Sequence, residues 1–395
     1  MAFELSGAAA HPLQIIGARH WKLAMPFVSA LEWGSGKRPA ATRLIVELRL
    51  ANGQVGYGET ICLLEFIEPV LVNTILPIAL QYRASDVEHF TRHVFGAGYY
   101  HHKRAAVMAM AAVEMAMWDA LGKSTQLPLH ALWGGAYRQQ VAVAAYLFGT
   151  DGQALKIAAQ RFVDQGHQSF KVKIGMTPES DLSNVEAVRS VVGTLDLRAD
   201  VNGAWTPGTA RRMLERLRPY DLQYIEQPLE LDDLQGHVDL RRAQPVPVAL
   251  DESAYTLADV GNIVRAGAAD VILLDPHEIG GLWQTIKAAA VAESVGIPVT
   301  LHSGGELGFS QMAYVHLAAS IPNMSVSIDS ERSYLSDDVV TEPPQLRDGQ
   351  FAVSQSPGLG VLPDLAKIAH YQVERIQGAY LDASRPGWFS TKPAY

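Results

Sequence analysis

Charged or titratable residues close seven successive strand-like runs between residues 169 and 330. From Asp200 to Asp329 they recur every 24 to 27 residues, the length of one β-strand, one helix and the two loops that join them. In a parallel barrel the carboxyl ends of all strands meet at one rim, so residues far apart in sequence would converge there. The residues are Lys171, Lys173, Asp200, Glu226, Asp251, Asp275, His302 and Asp329.

Three of these residues, Asp200, Glu226 and Asp251, are acids on neighbouring predicted strands. Three carboxylates at one rim repel each other unless a cation neutralises them, and ligands that are all oxygen favour a hard ion such as Mg²⁺. The alternative is that each acid caps the helix after its strand, which explains one such acid more easily than three. We therefore expect a Mg²⁺ site, with Asn202 and Glu252 behind the ligands or, for Glu252, among them.

Two lysines, Lys171 and Lys173, share one face of a strand because side chains alternate there. The apolar residues Phe170, Val172 and Ile174 would pack against helices, so the lysines must point into the barrel. The lysines of a Lys-x-Lys pair ordinarily lie on a solvated face of a strand. Here the neighbouring strands are predicted to be buried, which favours lysines inside the barrel. Two ammonium groups close together near a metal should lower each other's pKa, so we expect a lysine that acts as a base near neutral pH.

Asp275 and His302 end two consecutive predicted strands and should be neighbours across the sheet. A carboxylate on one imidazole nitrogen fixes the tautomer and leaves the other nitrogen free to move a proton. A lone histidine at a barrel rim is more often structural. Its place beside an acid and opposite a lysine favours a catalytic function.

Eight strand-like runs must carry these residues, and most are followed by an amphipathic segment, as at residues 209–217 and 283–295. Right-handed crossovers wind such a series into a closed parallel sheet. We therefore predict an α/β fold with a (β/α) barrel of modified TIM type. The predicted strands are residues 141–147, 169–175, 196–202, 222–228, 247–253, 270–276, 298–303 and 324–330.

A different pattern precedes the barrel. Residues 13–58 alternate apolar and polar positions around a turn at 51–54, which predicts a small antiparallel sheet. Residues 105–121 are so rich in Ala and Met that they predict a buried helix, and Gly122 is placed to end it. We expect an N-terminal α+β capping domain at 1–137, a catalytic barrel at 138–363, and a C-terminal segment at 364–395 that packs back on the capping domain.

Length and composition limit the function classes. The 395 residues suffice for two domains, and 48% hydrophobic with 18% charged residues is typical of a globular protein with a large core. A net charge of −9 without a basic stripe argues against nucleic acid as a partner. Neither a membrane-spanning run nor a secretory signal is visible, and the single Cys62 permits no intrachain disulfide, so we expect a cytoplasmic protein.

These motifs together resemble the enolase superfamily, in the branch that contains mandelate racemase, muconate lactonizing enzyme and glucarate dehydratase. The resemblance implies a Mg²⁺ ion bound by Asp200, Glu226 and Asp251, and a Lys or His base that removes the proton beside a substrate carboxylate. It rests on Lys-x-Lys at 171–173, Asp-x-Asn at 200–202, Glu-Gln-Pro at 226–228, Asp-Glu-Ser at 251–253, Gly-Tyr-Gly-Glu at 56–59 and the stretch 112–135.

The resemblance also implies a role for each remaining residue. Lys173 would be the base on one face of the substrate, and Lys171 would assist the substrate carboxylate. His302 with Asp275 would serve the opposite face. Asp329 matches a position whose acid interacts with the developing enediolate.

The motifs at 200–205, 275–277 and 327–330 look closer to glucarate dehydratase, with two departures. Gly304 stands where we expect an amide side chain in that enzyme, and the third metal position is Asp251, as in the muconate lactonizing branch. That branch, however, usually has a lysine where this chain has Asp275. The expected reaction is dehydration of an acid sugar to a 2-keto-3-deoxy acid. Racemisation or epimerisation, and cycloisomerisation of a lactone, use the same residues and stay open.

Specificity in this family depends on N-terminal loops that close over the barrel. The matching segments are residues 25–36, with Phe27 and Trp33, and residues 60–66, with Cys62 and Glu65. We expect a homo-oligomer that binds a small-molecule carboxylate and has no nucleic-acid or membrane partner. A non-catalytic carbohydrate-binding protein on the same fold is the alternative from a different class.

Overall fold

The computed structural model describes residues 3–4, 11–33, 36–97, 103–149 and 151–376, and its N-terminal part is built on a four-stranded antiparallel sheet. The strands are β1 (Phe3–Glu4), β2 (Ile15–Trp33), β3 (Gly36–Leu50) and β4 (Val55–Ile61). The predicted turn joins β3 to β4, and Gly53 supplies its positive φ of 83°. The antiparallel sheet predicted from the alternating pattern is confirmed.

Helices cover one face of this sheet. They are α1 (Ile67–Val70), a π-helical turn (Leu71–Ile75), α2 (Leu76–Ala79), α3 (Val87–Gly96), α4 (Lys103–Thr125) and α5 (Leu129–Leu132). The buried helix predicted at residues 105–121 is α4, which is two residues longer at its start and four at its end. By length and composition α4 could cross a membrane, but most of its apolar window is buried inside the protein, as expected of a core helix.

Close backbone contacts surround α4, and glycines permit them. A Cβ atom at Gly58 on β4 would lie 1.9 Å from the carbonyl oxygen of Ala112. A Cβ atom at Gly122 would lie 2.7 Å from the Cα of Gly358. The prediction that Gly122 ends the helix is therefore wrong, because this glycine makes room for a crossing segment; Gln126, with φ of 59°, follows the last helical residue.

All eight predicted barrel strands are present, most of them shorter than predicted. They are β5 (Gln140–Leu147), β6 (Ser169–Lys173), β7 (Asp196–Asp200), β8 (Tyr224–Glu226), β9 (Val248–Leu250), β10 (Val271–Leu274), β11 (Val299–Leu301) and β12 (Ile328–Asp329). Strands β5 to β11 pair in parallel and in chain order, and β12 returns to pair with β5. The predicted (β/α) barrel with an N-terminal α+β capping part is confirmed.

The barrel departs from a continuous ring at one seam and one edge. Among the described residues β11 and β12 share no backbone ladder, although the Thr300 hydroxyl donates to the Ser327 carbonyl at 2.9 Å. At the edge, β13 (Leu346–Arg347) and β14 (Gln350–Ala352) form a hairpin that pairs with β5. The sequence patterns did not predict this hairpin.

Helices return the chain between the barrel strands. They are α6 (Gly152–Asp164), α7 (Pro178–Val192), α8 (Pro207–Leu217), α9 (Leu234–Ala243), α10 (Leu257–Ala266), α11 (Pro276–Ile279), α12 (Leu282–Glu293) and α13 (Gly308–Ser320). Several begin at a side-chain cap, as where Asp233 Oδ1 accepts from Gly236 N at 2.8 Å. The strands between these helices are buried almost throughout. The charged residues lie at the carboxyl ends of these strands, on one rim of the barrel.

The two helices α12 and α13 lack a cap of their own and receive one from the capping part. Glu114 on α4 accepts from Leu282 N at 2.8 Å and Trp283 N at 2.9 Å. Glu59 on β4 accepts from Leu307 N at 2.9 Å and Ser310 N at 3.0 Å. Acids at helix N-termini satisfy the free N–H groups there, so these two carboxylates hold the capping part against the barrel.

The chain after the barrel returns to β2. Helix α14 (Leu365–His370) is followed by Tyr371, whose carbonyl accepts from Ala24 N at 3.1 Å, and Val373 N donates to the Lys22 carbonyl at 2.9 Å. The predicted C-terminal segment extends to residue 395, and its part at 377–395 lies outside the described residues. The domain boundaries at 137 and 363 remain our proposal.

Candidate active site

Lys171 is the centre of the charged cluster inside the barrel. Its Nζ lies 2.5 Å from Glu226 Oε1, 2.7 Å from Asp329 Oδ2 and 3.1 Å from Asp200 Oδ2, and none of these side chains is accessible to solvent. Burial alone would lower the pKa of Lys171, but the surrounding carboxylates, Asp329 first, hold it well above its usual value. Lys171 therefore stays an ammonium among these carboxylates, and the lowered lysine pKa expected beside a metal stays a prediction.

Lys173 is the last residue of β6 and lies closer to the barrel rim than Lys171. Its Nζ donates to Asp200 Oδ2 at 2.5 Å and to Asn202 Oδ1 at 3.2 Å. Asn202 in turn donates to Glu252 Oε1 at 2.9 Å, so both residues expected behind the ligands contact the cluster. The ring of Tyr146 lies under both lysines, 5.6 Å from Lys173 Nζ. Lys173 also lines the open cavity, as a proton acceptor for a bound substrate must.

Asp329 is fixed by three donors. Besides Lys171, the Tyr146 hydroxyl donates to its Oδ2 at 2.9 Å and Arg198 Nη1 donates to its Oδ1 at 3.4 Å. Burial would raise the pKa of Asp329, but Lys171 and Arg198 hold it below the usual value. Asp329 is therefore an anion that contacts two cations, and Lys171 also contacts Glu226 and Asp200.

Three side chains that could bind a metal ion lie close together in this cluster. One donor atom each from Glu226, Asp251 and His302 lies within 4.8 Å of the others. Glu226 Oε2 is buried and makes no hydrogen bond within the described residues. Burial and the neighbouring Asp200 raise the pKa of Glu226 well above its usual value. These carboxylates fit a divalent cation, which would satisfy the unpartnered oxygen and neutralise the repulsion.

The membership of this group differs in one position from the predicted set of Asp200, Glu226 and Asp251. Asp200 is buried and accepts from both lysines, and their charges hold its pKa below the usual value although burial alone would raise it. The grouped atoms include His302 instead. Asp200 stays a proposed ligand, and its binding to a cation requires that Lys173 leave Oδ2.

His302 contacts a different acid from the one predicted. Its Nδ1 lies 2.9 Å from Asp251 Oδ2, whereas Asp275 Oδ1 accepts from His277 N and from the Tyr314 hydroxyl, each at 2.8 Å. Asp275 and His302 are neighbours across β10 and β11, as predicted, but no hydrogen bond joins them in the described structure. The expected pairing is corrected because Asp251, directly after β9, reaches the imidazole past the intervening strand β10.

The charges around His302 and Asp275 set their protonation. Burial would lower the pKa of His302, but Asp251 holds it well above its usual value. Burial raises the pKa of Asp275 to about 6, although the nearby His302 opposes that shift. Asp275 Oδ2 is buried without a hydrogen-bond partner among the described residues and is free to accept one from the imidazole if His302 turns.

Several of the predicted catalytic residues line a cavity of about 140 Å³ between the barrel and the capping part. Lys173, Asp251 and His302 line its inner side. Of the two predicted specificity segments, 60–66 contributes Ile61 and Leu63. Of the segment 25–36, residues 25–33 belong to β2 and Gly36 begins β3, while residues 34–35 lie outside the described residues. Phe27 is buried and its ring stacks on Arg38. Cys62 and Glu65 do not line the cavity.

Sequence reasoning missed several residues of this cavity. Arg38, Tyr255, Glu278 and Glu331 line it, and none of them stands at a strand end. Gln227 was missed as well: its Oε1 accepts from Asp251 N at 3.1 Å and so positions a proposed ligand. The signal in the sequence was its place directly after Glu226. In the structure its backbone has an unusual φ of 37°.

Comparisons with known proteins agree with this geometry. The family described as "Mandelate racemase / muconate lactonizing enzyme, N-terminal domain" matches residues 15–134, and "Enolase C-terminal domain-like" matches residues 154–367. The chain is 31% identical to a probable glucarate dehydratase of Streptomyces coelicolor, over 84% of this chain and 85% of that one. It is 30% identical to muconate cycloisomerase 1 of Rhodococcus opacus, over 88% and 96%.

A racemase and a solved structure extend the comparison. An N-succinylamino acid racemase of Amycolatopsis is 30% identical over 89% of this chain and 95% of its own. The muconate lactonizing enzyme of Pseudomonas fluorescens, solved with muconolactone, superposes with a TM-score of 0.85 at 29% identity, covering 92% of this chain and all of that chain. These relatives share a fold and differ in net reaction.

Proposed function

The chain belongs to the mandelate racemase / muconate lactonizing enzyme branch of the enolase superfamily, and we propose that it dehydrates an acid sugar to a 2-keto-3-deoxy acid. The reaction is Mg²⁺-dependent and begins with removal of the proton beside the substrate carboxylate. One observation carries this proposal: Lys173 and His302 line the same cavity as the carboxylate Asp251. Superfamily sites of this kind use a Lys or His base with Mg²⁺.

The metal site is formed by oxygen ligands. We assign Asp200, Glu226 and Asp251 to it, because all three are buried at neighbouring strand ends and Glu226 keeps an unpartnered oxygen. A Mg²⁺ ion held by these residues would supply positive charge for binding the substrate carboxylate and for stabilising the negative charge that develops as the α-proton leaves. His302 leaves Asp251 in this arrangement and turns toward the substrate.

The lysines and His302 divide the proton transfers. Lys171, an ammonium held by Asp329, contributes a fixed positive charge beside the substrate carboxylate. Lys173, once released from Asp200, takes the α-proton on one face. His302 donates a proton to the β-hydroxyl, which leaves as water, and the resulting enol rearranges to the 2-keto acid. The net change is loss of one water molecule, and no oxidant or reductant is needed.

A second candidate is supported by the placement of the two bases. Lys173 extends from β6 and His302 follows β11, so they approach the cavity from separate strands. If the β-substituent stays in place, a proton taken by one base and returned by the other inverts the α-carbon. Racemisation or epimerisation is therefore the alternative, and lactone cycloisomerisation draws on the same residues.

Product analysis separates these reactions. The Mg²⁺-loaded protein is incubated with a library of acid sugars in deuterated water, and 2-keto acids are detected with semicarbazide. Dehydration yields a 2-keto acid, whereas epimerisation yields the unchanged skeleton with deuterium at the α-carbon, visible by NMR. A library in which no acid forms a keto product or exchanges its α-proton would contradict the proposed function.

A further inference from the structure

A buried arginine of the capping part reaches two barrel segments that carry candidate catalytic residues. Arg43 lies on β3, and its side chain is not accessible to solvent. Its Nη1 donates to the Gly304 carbonyl at 3.3 Å, and its Nη2 lies 2.7 Å from His277 Nε2. His277 follows β10 and Gly304 follows β11. One side chain therefore joins the capping part to the ends of both strands.

The charge of Arg43 is matched inside the protein. Its Nε donates to Glu59 Oε1 at 2.6 Å, and Glu306 Oε1 lies 4.0 Å from its Nη1. Burial alone would lower the pKa of Arg43, but Glu59 and then Glu306 hold it above its usual value. A planar guanidinium whose donors meet several buried acceptors has little freedom to move. Arg43 is therefore a fixed cation.

The segment that Arg43 contacts comes directly after His302. The His302 N–H donates to a carbonyl of β10 at 3.1 Å, which holds the backbone on one side. On the other side, Glu306 accepts from the Ser303 hydroxyl at 2.5 Å and from Gly304 N at 2.7 Å. The Gly304 carbonyl then meets Arg43. The course of the backbone after His302 is thus set by Glu306 and by a residue of the capping part.

Two glycines let this segment lie against the capping part. A Cβ atom at Gly304 would lie 3.0 Å from Ile61 Cδ1, and one at Gly305 would lie 2.8 Å from the Cβ of Ala41 on β3. Gly305 also has a positive φ of 81°, which other residues rarely adopt. Side chains at these two positions would push the segment away from β3 and from Arg43.

The second contact of Arg43 acts on the residues after β10. His277 Nε2 accepts from Arg43, and the backbone N of His277 donates to Asp275 Oδ1 at 2.8 Å. The Tyr314 hydroxyl donates to the same oxygen at 2.8 Å. Oδ1 is therefore occupied, and Oδ2, which has no partner among the described residues, is the oxygen left for the imidazole of His302.

Lys173 is held in a different way, from within the barrel. Its Nζ donates to Asp200 on β7 and to Asn202 just beyond that strand. Arg43 forms no hydrogen bond or ion pair with β6 or β7 in the described structure. The two proposed bases therefore depend on different supports.

We propose that Arg43 is a positioning residue for the His302 side of the site, and that it acts through the segment after β11 and through His277. It does not line the cavity and so does not contact the substrate. This inference rests on the proposed function, because it takes Lys173 and His302 as bases on opposite faces. Loss of the guanidinium should slow proton transfer by His302 selectively, whereas a residue that only stabilised the fold would affect both faces alike.

The test measures α-deuterium exchange by the Mg²⁺-loaded protein for two epimers of one sugar acid. Lys173→Ala and His302→Asn identify which epimer reports on which base. Arg43→Lys keeps the charge but loses the planar group that spans Gly304 and His277. Because small misplacements of a catalytic group are costly, exchange of the His302 epimer should fall by about tenfold or more, and that of the Lys173 epimer by less than about threefold. Equal losses, or no loss, in folded Arg43→Lys overturn the positioning role and leave the proposed function standing.

A second variant keeps the test decisive if Arg43→Lys does not fold. Arg43→Met combined with Glu59→Gln removes both buried charges, and the amide oxygen can still accept at the start of α13. The same selective loss is expected. If the wild type exchanges neither epimer, the inference and the proposed function fail together.

Two controls separate positioning from general loosening. Glu114→Ala removes a different contact between the capping part and the barrel, and Arg92→Lys makes the same change at an exposed site on α3. Each should leave the ratio of the two exchange rates within about twofold of the wild type, because neither residue contacts the segments after β10 and β11. A ratio that Glu114→Ala shifts as far as the Arg43 variants do would overturn the specific role of Arg43.

Discussion

His302 Nδ1 lies 2.9 Å from Asp251 Oδ2, so the imidazole on one face of the site contacts a carboxylate that we assign to the metal. If Asp251 binds the metal as we propose, this contact would couple the protonation of His302 to metal binding. Asp251 outweighs the effect of burial and holds the pKa of His302 well above its usual value. A group that pairs with Asp251 in place of His302 must therefore change the protonation of the imidazole.

Addition of Mg²⁺ should lower the pKa of His302. The cation neutralises Asp251, and the imidazole then loses the charge that stabilised its protonated form. Histidine side-chain NMR across pH 6 to 9, with and without Mg²⁺, measures the change. Asp251→Asn should lower the pKa without metal, while His237, buried on α9 outside the cavity, should not respond. A His302 pKa that Mg²⁺ leaves unchanged would contradict the coupling.

The two bases should be separable by substrate stereochemistry. Lys173→Ala should abolish exchange of the α-proton of one epimer, and His302→Asn that of the other, each by about 10²- to 10⁴-fold as expected for general base catalysis. Deuterium incorporation followed by NMR for each epimer gives the rates. Lys156→Ala, at an exposed position on α6, is the control. Retained exchange of both epimers in both variants would disprove the assignment.

Replacement of a proposed ligand should weaken metal binding and turnover together. Asp200→Asn, Glu226→Gln and Asp251→Asn each remove one anionic oxygen donor, which the buried cation would need. Calorimetric titration with Mg²⁺ and kcat on the best substrate are measured for each variant. Glu179→Gln on α7 is a control outside the cavity. Normal turnover with normal Mg²⁺ affinity in any of the three variants would show that the site has been misplaced.

Loss of Glu114 should destabilise the fold without touching the cavity. Its carboxylate accepts from Leu282 N and Trp283 N, at the start of α12. Glu114→Ala leaves these buried donors unpaired, which should lower the free energy of unfolding by about 1–3 kcal/mol. Urea denaturation measures it. The control is Glu293→Ala, at an exposed position on α12. It should change the free energy of unfolding by no more than about 0.5 kcal/mol.

Glu114 should also make stability depend on pH. Burial raises its pKa to about 7, despite hydrogen bonds that favour the charged form, from an ordinary value of 4.5. The folded chain thus binds this proton more tightly than the unfolded chain. The resulting stabilisation is fully present below pH 4.5 and is lost as the pH rises through about 7. The stability of the wild type relative to Glu114→Gln should therefore fall between pH 5 and 8; a constant or rising difference would contradict the shift.

The periodicity of strand-end residues was sufficient to predict the barrel. From Asp200 to Asp329 the spacing matches one strand and one helix, and the structure places each of these residues at a strand end on one rim. Strand alternation also placed Lys171 and Lys173 inside. These are consequences of local geometry, which the sequence carries directly.

Contacts between distant parts of the chain were not predictable in the same way. His302 reaches Asp251 rather than Asp275 because side chains cross the barrel interior, which pairing along the sheet does not describe. Arg38 enters the cavity from a hairpin of the other part of the molecule. Glu114 did carry a signal: it is one of only two acids in an otherwise apolar run of Ala and Met, and a buried acid of that kind requires hydrogen-bond donors.

The caps that Glu59 and Glu114 supply to α13 and α12 affect how this protein can be recombined. A barrel excised from the chain would begin two of its helices with unsatisfied N–H groups. A chimaera that borrows the N-terminal part of a relative to change selectivity inherits the same requirement. The donor sequence must bring an acid to both positions, so successful grafts should be limited by these two residues before they are limited by the loops over the cavity.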